Sequence, residues 1–191
     1  MLQDSKTPIK ILTGRFGSGK SLLMIAHALE AVERNKVDKI IYVRNNIELK
    51  HTTPLGALPG TLEDKMIEWA ANIGDHVGGM EGLRMLIDRG NFEIAPLGYL
   101  RGRDFKRCII FCDECENLTT AQVQLLIGRI GENSQLWMAG DWRQTDKKVF
   151  DDDSGLNKAI DRLQGKPLFA YVHLEKSERS EASAYADYLD N

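Results

Sequence analysis

The sequence lacks several features that would mark whole classes of protein. No apolar run approaches the roughly 20 residues of a membrane-spanning helix, and the opening MLQDSKTPIK has no apolar core of a secretory signal. The 191 residues carry a net charge of only −3, which argues against a protein that coats nucleic acid with its whole surface. These absences predict a cytoplasmic protein that neither crosses nor binds a membrane.

Cysteine is also scarce, since the chain has three, Cys108, Cys112 and Cys115. An odd count in a chain without signs of export argues against a disulfide framework. Cys112 and Cys115 form a C-x-x-C pair, but zinc takes four nitrogen or sulfur ligands and only Cys108 lies nearby. We therefore expect three packed thiols in a strand and at the entry to a helix.

Apolar runs alternate with segments of helical periodicity, which is typical of an α/β fold with a mainly parallel sheet flanked by helices. The length favours one domain, placed at 1–191. At the start of one predicted helix, Thr119 and Gln122 form a capping-box pattern. The predicted strands span 9–13, 39–43, 107–112, 135–139 and 168–174, with a candidate short strand at 92–95. The predicted helices span 20–34, 61–73, 80–88, 120–130, 154–164 and 181–189.

The stretch ILTGRFGSGKSLL contains a complete phosphate-loop pattern, G-x-x-x-x-G-K-[ST], between a predicted strand and a predicted helix. Its glycines let backbone N–H groups surround phosphate oxygens at the positive end of the helix dipole. Lys20 would neutralise the outer phosphates, and Ser21 would bind Mg²⁺. The predicted nucleotide-binding residues are Gly14, Arg15, Phe16, Gly17, Ser18, Gly19, Lys20, Ser21 and Leu22.

A phosphate loop alone could belong to a kinase, a GTPase or an ATPase, and a second motif separates them. CIIFCDE places Asp113 at the carboxyl end of a strand, where ligands bind in open α/β sheets, and there it can hold Mg²⁺. Glu114 follows directly and could polarise an attacking water. The guanine-reading pattern N-K-x-D is absent from the sequence. ATP hydrolysis is therefore the better interpretation.

A third motif, GDWRQ, follows the strand predicted at 135–139. Gln144 there could contact the γ-phosphate or the attacking water and so link hydrolysis to movement. The pattern alone is equally typical of a turn, but its place after the other two motifs favours the sensor role.

Together these motifs resemble those of PhoH-like ATPases. The segments that carry the resemblance, over roughly residues 9–189, are GRFGSGKS, LGALPG, APLGYLRGRDF, IIFCDECENLTTAQ, RIGENSQLWMAGDWRQTD, SGL and LEKSERS. The resemblance implies a RecA-like core related to superfamily 1 helicases, with strand order 5-1-4-3-2 and the sensor strand between those of the phosphate loop and Asp113. It also implies Mg²⁺-dependent hydrolysis of ATP linked to RNA or single-stranded DNA.

Residue by residue, the resemblance assigns phosphate binding to Gly14 to Ser21, Mg²⁺ and water activation to Asp113 and Glu114, and the sensor role to Gln144. Arg179 matches an arginine that reaches the nucleotide. Two departures are visible: Gln3 is a poor match for the glutamine that reads adenine, and Cys115 replaces the usual alanine. With no appended RNase or RNA-binding domain in the sequence, we expect a minimal version of the family whose base specificity stays open.

Superfamily 1 helicases close two RecA-like domains around ATP, whereas this chain contains one. The resemblance therefore implies a homo-oligomer, with a ring as the family's known arrangement and ATP sites between subunits. An arginine would be donated in trans, with Arg129 as the main candidate and Arg143 as the weaker one.

The segment LRGRDFKR carries Arg101 and Arg103 with the aromatic Phe105 among its basic residues, and Tyr99 directly precedes it. Such a strip could hold a nucleic-acid backbone and stack a base, or it could contact a subunit or nucleotide, or be a solvated face. The alternative function is an ATP-controlled assembly module that acts on a protein partner without nucleic acid. Zot-like phage assembly ATPases share the opening motif, and a small-molecule kinase is disfavoured by the Asp113–Glu114 pair.

Overall fold

The computed structural model describes residues 1–44, 62–141, 153–176 and 178. All paired strands within these ranges run parallel and form one sheet. The strands are β1 (Ile9–Gly14), β2 (Lys39–Arg44), β3 (Phe92–Pro96), β4 (Cys108–Asp113), β5 (Gln135–Gly140) and β6 (Phe169–Leu174). The helices are α1 (Lys20–Glu33), α2 (Leu62–Trp69), α3 (Ala71–Gly74), α4 (Gly79–Asp88), α5 (Thr120–Ile127) and α6 (Gly155–Leu163).

The sheet has the order β3-β2-β4-β5-β1-β6, which confirms the α/β class and the RecA-like arrangement. Read without β3, the order is the predicted 5-1-4-3-2, and β5 lies between β1 and β4 as expected. The difference is the candidate short strand, which becomes β3 and pairs with β2 at the edge of the sheet. Its Phe92 and Ile94 are buried, so pairing there removes apolar surface from water.

Alternation along the strands builds two apolar cores, one on each face of the sheet. On one face, Tyr42, Phe111 and Trp137 pack with residues of α1 to α4. On the other face, Ile110 and Met138 pack with residues of α5 and α6. Both faces of the central strands are covered, which explains why those strands read as continuous apolar runs.

The helix boundaries follow local signals. The predicted capping box is confirmed, since Thr119 Oγ1 accepts from Gln122 N and Gln122 Oε1 accepts from Thr119 N at 2.8 Å. The helix predicted over 61–73 is interrupted at Ala70 and becomes α2 and α3. The helix predicted over 120–130 ends sooner, at Ile127, with Gly128 as its C-cap. The helix predicted at 181–189 lies outside the described residues.

The three cysteines are buried free thiols, as predicted for packed side chains. Burial raises the pKa of both Cys108 and Cys115 above the ordinary thiol value. Among the helices in the described ranges, none combines the length and apolar character needed to cross a bilayer.

A buried lysine lies on β1 beneath α1. Lys10 is 0 % exposed, donates from Nζ to Gln135 Oε1, and its Nζ lies 5.1 Å from the centre of the Trp137 ring. The Trp137 indole N–H donates to the same Gln135 oxygen at 2.9 Å. Burial lowers the pKa of Lys10 to about 8, although nearby Asp4 acts in the opposite direction. Such a group makes the free energy of unfolding depend on pH.

We predict that this free energy rises with pH between about 8 and 10.5, the folded and ordinary pKa values of Lys10. In that window the unfolded chain binds more protons at this side chain than the folded chain, so deprotonation favours folding. The gain should be about 2–3 kcal/mol and should be absent from Lys10→Met. Urea unfolding at pH 7.5 and pH 10 checks this, with the exposed Lys166→Met as control. An equal pH dependence in Lys10→Met and wild type would contradict it.

Candidate active site

The candidate site lies where neighbouring parallel strands end. β1 ends at Gly14, β4 at Asp113 and β5 at Gly140, and β5 pairs with both of the others. The strand register also places Arg44, the last residue of β2, opposite Asp113. The phosphate loop, the acidic pair and Asp141 therefore meet at the carboxyl end of the parallel strands, which is where open α/β sheets bind ligands.

The phosphate loop bends tightly between β1 and α1. Gly17 and Gly19 have φ of 72° and 81°, in the left-handed region that favours glycine. At Gly14, a Cβ atom would come within 2.8 Å of the Leu174 carbonyl oxygen, so no larger residue fits against β6. The backbone N–H of Glu178 donates to Gly17 O at 2.9 Å and ties the chain beyond β6 to the loop.

Two polar side chains of the loop suit an anionic ligand. Ser18 Oγ is buried and has no hydrogen-bond partner among the described residues. Lys20 Nζ donates to the carbonyl oxygens of Gly14 and Arg15 at 2.6 and 2.8 Å. A buried hydroxyl without a partner is costly, and a phosphate oxygen at the start of α1 would satisfy it.

The electrostatics of Lys20 also favour an anion. Burial lowers the pKa of Lys20, while Asp141, Glu116 and Asp113 act to raise it. A phosphate would supply closer negative charge to this partly desolvated ammonium group.

Ser21 and Asp113 form the candidate metal site. Ser21 Oγ lies 3.0 and 3.2 Å from the two carboxylate oxygens of Asp113. Burial raises the pKa of Asp113, the Ser21 hydroxyl opposes this shift, and the neighbouring Glu114 charge adds to it. A divalent cation would offset the burial of this carboxylate, and a hydroxyl plus a carboxylate are the oxygen ligands that Mg²⁺ prefers.

The described residues contain no cluster of three or more histidine, cysteine or acidic side chains placed to hold a metal ion. Mg²⁺ in nucleotide sites does not need such a cluster, because phosphates and waters complete its shell. The residues present therefore fit both a nucleotide and its cation.

Glu114 stands just past the end of β4 in a left-handed backbone conformation, with φ of 54°. Arg44 Nε donates to Glu114 Oε2 at 2.9 Å, and Arg44 Nη2 donates to Glu114 Oε1. The remaining guanidinium nitrogen, Nη1, donates to the carbonyl oxygen of Trp69 at 3.3 Å. Burial acts to lower the pKa of Arg44, but the hydrogen bonds and charge of Glu114 raise it overall.

A second polar contact reaches Asp113 from α3. Asn72 Nδ2 donates to Asp113 Oδ2 at 3.0 Å, and the buried Tyr42 hydroxyl donates to Asn72 Oδ1 at 3.2 Å. Asp113 thus accepts hydrogen bonds from both the phosphate-loop helix and α3. Neither Asn72 nor Arg44 stands out in the sequence, because one lies inside a predicted helix and the other just past a predicted strand.

Glu116 joins β5 to the site and does not stand out in the sequence either. Its Oε2 accepts from the backbone N–H of Asp141 at 3.0 Å, and a Cβ at Gly140 would lie 2.7 Å from the same oxygen. Burial raises the pKa of Glu116 to about 8. Glu116, which follows the acidic pair, therefore holds Gly140 and Asp141, the first two residues of the GDWRQ segment.

Gln144, Arg143 and Arg179, together with the segment LGALPG, lie outside the described residues. Glu178 precedes Arg179 and borders a cleft of about 310 Å³ beside the phosphate loop. The cleft is lined by Gly17, Gly19, Lys20, Ser21, Leu22, His76 and Glu178.

Two other predicted arginines, Arg103 and Arg129, lie at the opposite end of the sheet, where strands begin. Arg103 Nη1 donates to Glu93 at 2.6 Å, and the Arg103 guanidinium lies 4.5 Å from the centre of the Phe105 ring. Arg129 Nη1 donates to the carbonyl oxygen of Arg103 at 3.0 Å, and Arg101 is exposed. Within one chain, the fold does not bring these arginines to the phosphate loop.

Comparison with known proteins gives a consistent result. The PhoH-like protein family matches residues 1–186. Protein PhoH2 of Thermobispora bispora is 34% identical over 187 residues, which cover 96% of this chain and 43% of that protein. Protein PhoH of Escherichia coli K12 is 31% identical over 173 residues, covering 87% of this chain and 48% of that protein. A PhoH-like protein of Bacillus subtilis is 33% identical, covering 86% and 52%. The chain thus spans about half or less of each relative.

Proposed function

The chain belongs to the PhoH-like protein family, and from that premise we propose that it binds ATP with Mg²⁺ and hydrolyses it. The observation that carries the proposal is the contact of Ser21 with Asp113 at the carboxyl end of the sheet. This contact joins a complete phosphate loop to the first residue of the acidic pair. The second residue, Glu114, does not contact Ser21 and instead accepts a hydrogen bond from Arg44.

In the proposed reaction, backbone N–H groups of Gly17 to Ser21 bind phosphate oxygens, and Lys20 exchanges its two carbonyl partners for the outer phosphates. Ser21 and Asp113 would hold the cation, which would neutralise charge on the phosphates when bound. Glu114 orients a water molecule and accepts its proton as the water oxygen bonds to the γ-phosphorus; the bond from that phosphorus to the β–γ bridging oxygen breaks, and ADP and inorganic phosphate leave. The resemblance adds Gln144 as a sensor of the γ-phosphate or the attacking water, and Arg179 as a contact to the nucleotide.

Phosphate release with ATP and with GTP, each with Mg²⁺ or with EDTA, tests this proposal. We expect turnover that requires Mg²⁺, and the ATP-to-GTP ratio would define the base specificity. Binding of ATP without release of phosphate, at any enzyme concentration, would contradict the hydrolytic role.

We propose further that turnover is coupled to RNA or single-stranded DNA. Support comes from the exposed Arg101 and from Tyr99, which is 69% exposed and could stack on a base. ATPase rates with and without single-stranded RNA and DNA test the coupling, with Arg101→Gln and Tyr99→Ala as variants. Rates that do not respond to any nucleic acid would contradict it.

We propose that the protein acts as a homo-oligomer, with a ring as the favoured arrangement and with Arg129 reaching a neighbouring subunit's nucleotide. Arg129 lies at the opposite end of the sheet from its own phosphate loop, so a contact to nucleotide requires another subunit. Mixing Arg129→Ala chains with Lys20→Ala chains tests this, because one subunit of each kind could restore an active site. Failure of every mixture to regain turnover would count against Arg129.

The alternative function is ATP-controlled assembly on a protein partner, and one observation favours it. Leu22 and Leu23 are 47% and 40% exposed at the start of α1, and Val172 is 39% exposed on β6. An apolar surface beside a phosphate loop could bind a partner protein in one nucleotide state and release it in another. Mass measurement with ATP, with ADP and without nucleotide discriminates, because this function requires the assembly state to change.

A further inference from the structure

Arg44 connects the end of β2 to the acidic pair. Its guanidinium forms a forked contact to both carboxylate oxygens of Glu114, and its third nitrogen donates to Trp69 O, the last residue of α2. The Arg44 side chain is 25% exposed, against 40% for that of Glu114. The arginine is thus the better-buried and better-anchored member of the pair.

All three nitrogens of the Arg44 guanidinium donate to atoms of its own chain. In this geometry the side chain is directed at Glu114 and Trp69, and three of its five N–H groups donate within the chain. A forked arginine–carboxylate contact also fixes direction, since two parallel N–H···O bonds define the plane of the carboxylate.

Among the described residues, Arg44 is the hydrogen-bond partner of the Glu114 carboxylate. Glu114 stands past the end of β4 with φ of 54°, and its side chain is partly exposed. A carboxylate that accepts a proton from water must hold its orientation closely, since a misplacement of about 1 Å can cost about 10²-fold in rate. An unrestrained side chain at this position would sample several rotamers.

We propose that Arg44 is a positioning residue, which acts on turnover only through the orientation of Glu114. This inference rests on the proposed hydrolytic role of Glu114. It assigns the two carboxylates separate supports: Asn72 on α3 holds Asp113, and Arg44 on β2 holds Glu114.

A double-mutant cycle tests the proposal through ATP turnover and the affinity for a fluorescent ATP analogue. Arg44→Gln should lower kcat by about 10- to 100-fold and change the affinity by less than about threefold. In the Glu114→Gln background the same substitution should change the residual rate by less than about twofold, because the group that it positions is already gone. Arg44→Lys, which keeps the charge but not the fork, should fall between wild type and Arg44→Gln.

Three results would overturn the proposal. The first is an equal loss from Arg44→Gln in both backgrounds, which would show action on another group. The second is a parallel loss of kcat and ATP affinity, which would make Arg44 a binding residue, and the third is wild-type turnover in Arg44→Gln. Thermal unfolding verifies that each variant folds. If Arg44→Gln does not fold, Arg44→Lys replaces it in the double-mutant cycle. Wild-type protein that binds but never hydrolyses ATP would overturn both this inference and the proposed function.

Discussion

Replacement of Glu114 by glutamine is expected to lower ATP turnover by about 10²–10⁴-fold, the range that general-base catalysis contributes. Glutamine keeps the size of the side chain but has much weaker affinity for a proton. Nucleotide affinity should stay within a few-fold of wild type, because the phosphate loop and Ser21 are unchanged. Single-turnover phosphate release and equilibrium binding of an ATP analogue measure the two quantities separately.

The matched control for this variant is Glu33→Gln, which removes the same charge from an exposed position at the end of α1. It should leave both turnover and affinity unchanged. Turnover in Glu114→Gln within about threefold of wild type would contradict the assignment of Glu114 as the base.

Replacement of Lys20 by alanine is expected to weaken ATP binding by about 10²-fold or more. The estimate follows from the loss of about 3 kcal/mol when a charge-assisted contact to phosphate is removed. Without ligand, the same change removes a half-buried ammonium whose pKa is already lowered by burial. The free energy of unfolding should therefore change little. This variant should lose affinity for ATP while it keeps its stability.

Titration with an ATP analogue and urea unfolding check the prediction, with Lys166→Ala as an exposed control just past the end of α6. Unchanged affinity in Lys20→Ala would contradict the phosphate-binding role. A large loss of stability would instead show that Lys20 mainly supports the loop through Gly14 and Arg15.

The parts of the site that could be predicted are those encoded by neighbouring residues. The phosphate loop needs glycines, a lysine and a hydroxyl at fixed spacing, and the acidic pair needs only the end of an apolar strand. The same is true of the capping box at Thr119, where both partners lie within one helical turn. Each of these features is local, so the sequence displays it directly.

The parts that could not be predicted depend on contacts between distant segments. Arg44 meets Glu114 because β2 and β4 are paired in a register that places Arg44 opposite Asp113. Asn72 meets Asp113 because the helix predicted over 61–73 is interrupted at Ala70 and α3 turns toward the site. Nothing in the residues around Arg44 indicates a partner 70 positions further on, and nothing around Asn72 indicates one 41 positions further on.

The sheet order was nearly predicted, and the difference has a similar cause. β3 is short, and its inclusion depends on the partner strand β2 and on the helices that cover Phe92 and Ile94. Sequence periodicity reports which face of a strand is apolar, but it does not report whether a neighbour is available. The place of β3 at its edge of the sheet therefore could not be predicted from periodicity, whereas β6, at the other edge, was predicted to within one residue.

The position of β1 in the sheet has a consequence for how the protein is made. β1 carries the phosphate loop, yet its two neighbours, β5 and β6, are synthesised long after it. A nascent chain that has emerged only through β4 contains every residue of the loop but neither of the strands that flank it. At about 5–20 residues per second, translation would leave β1 unpaired for many seconds. During synthesis, a chaperone could therefore bind the apolar residues of β1. This would happen before the chain can bind ATP.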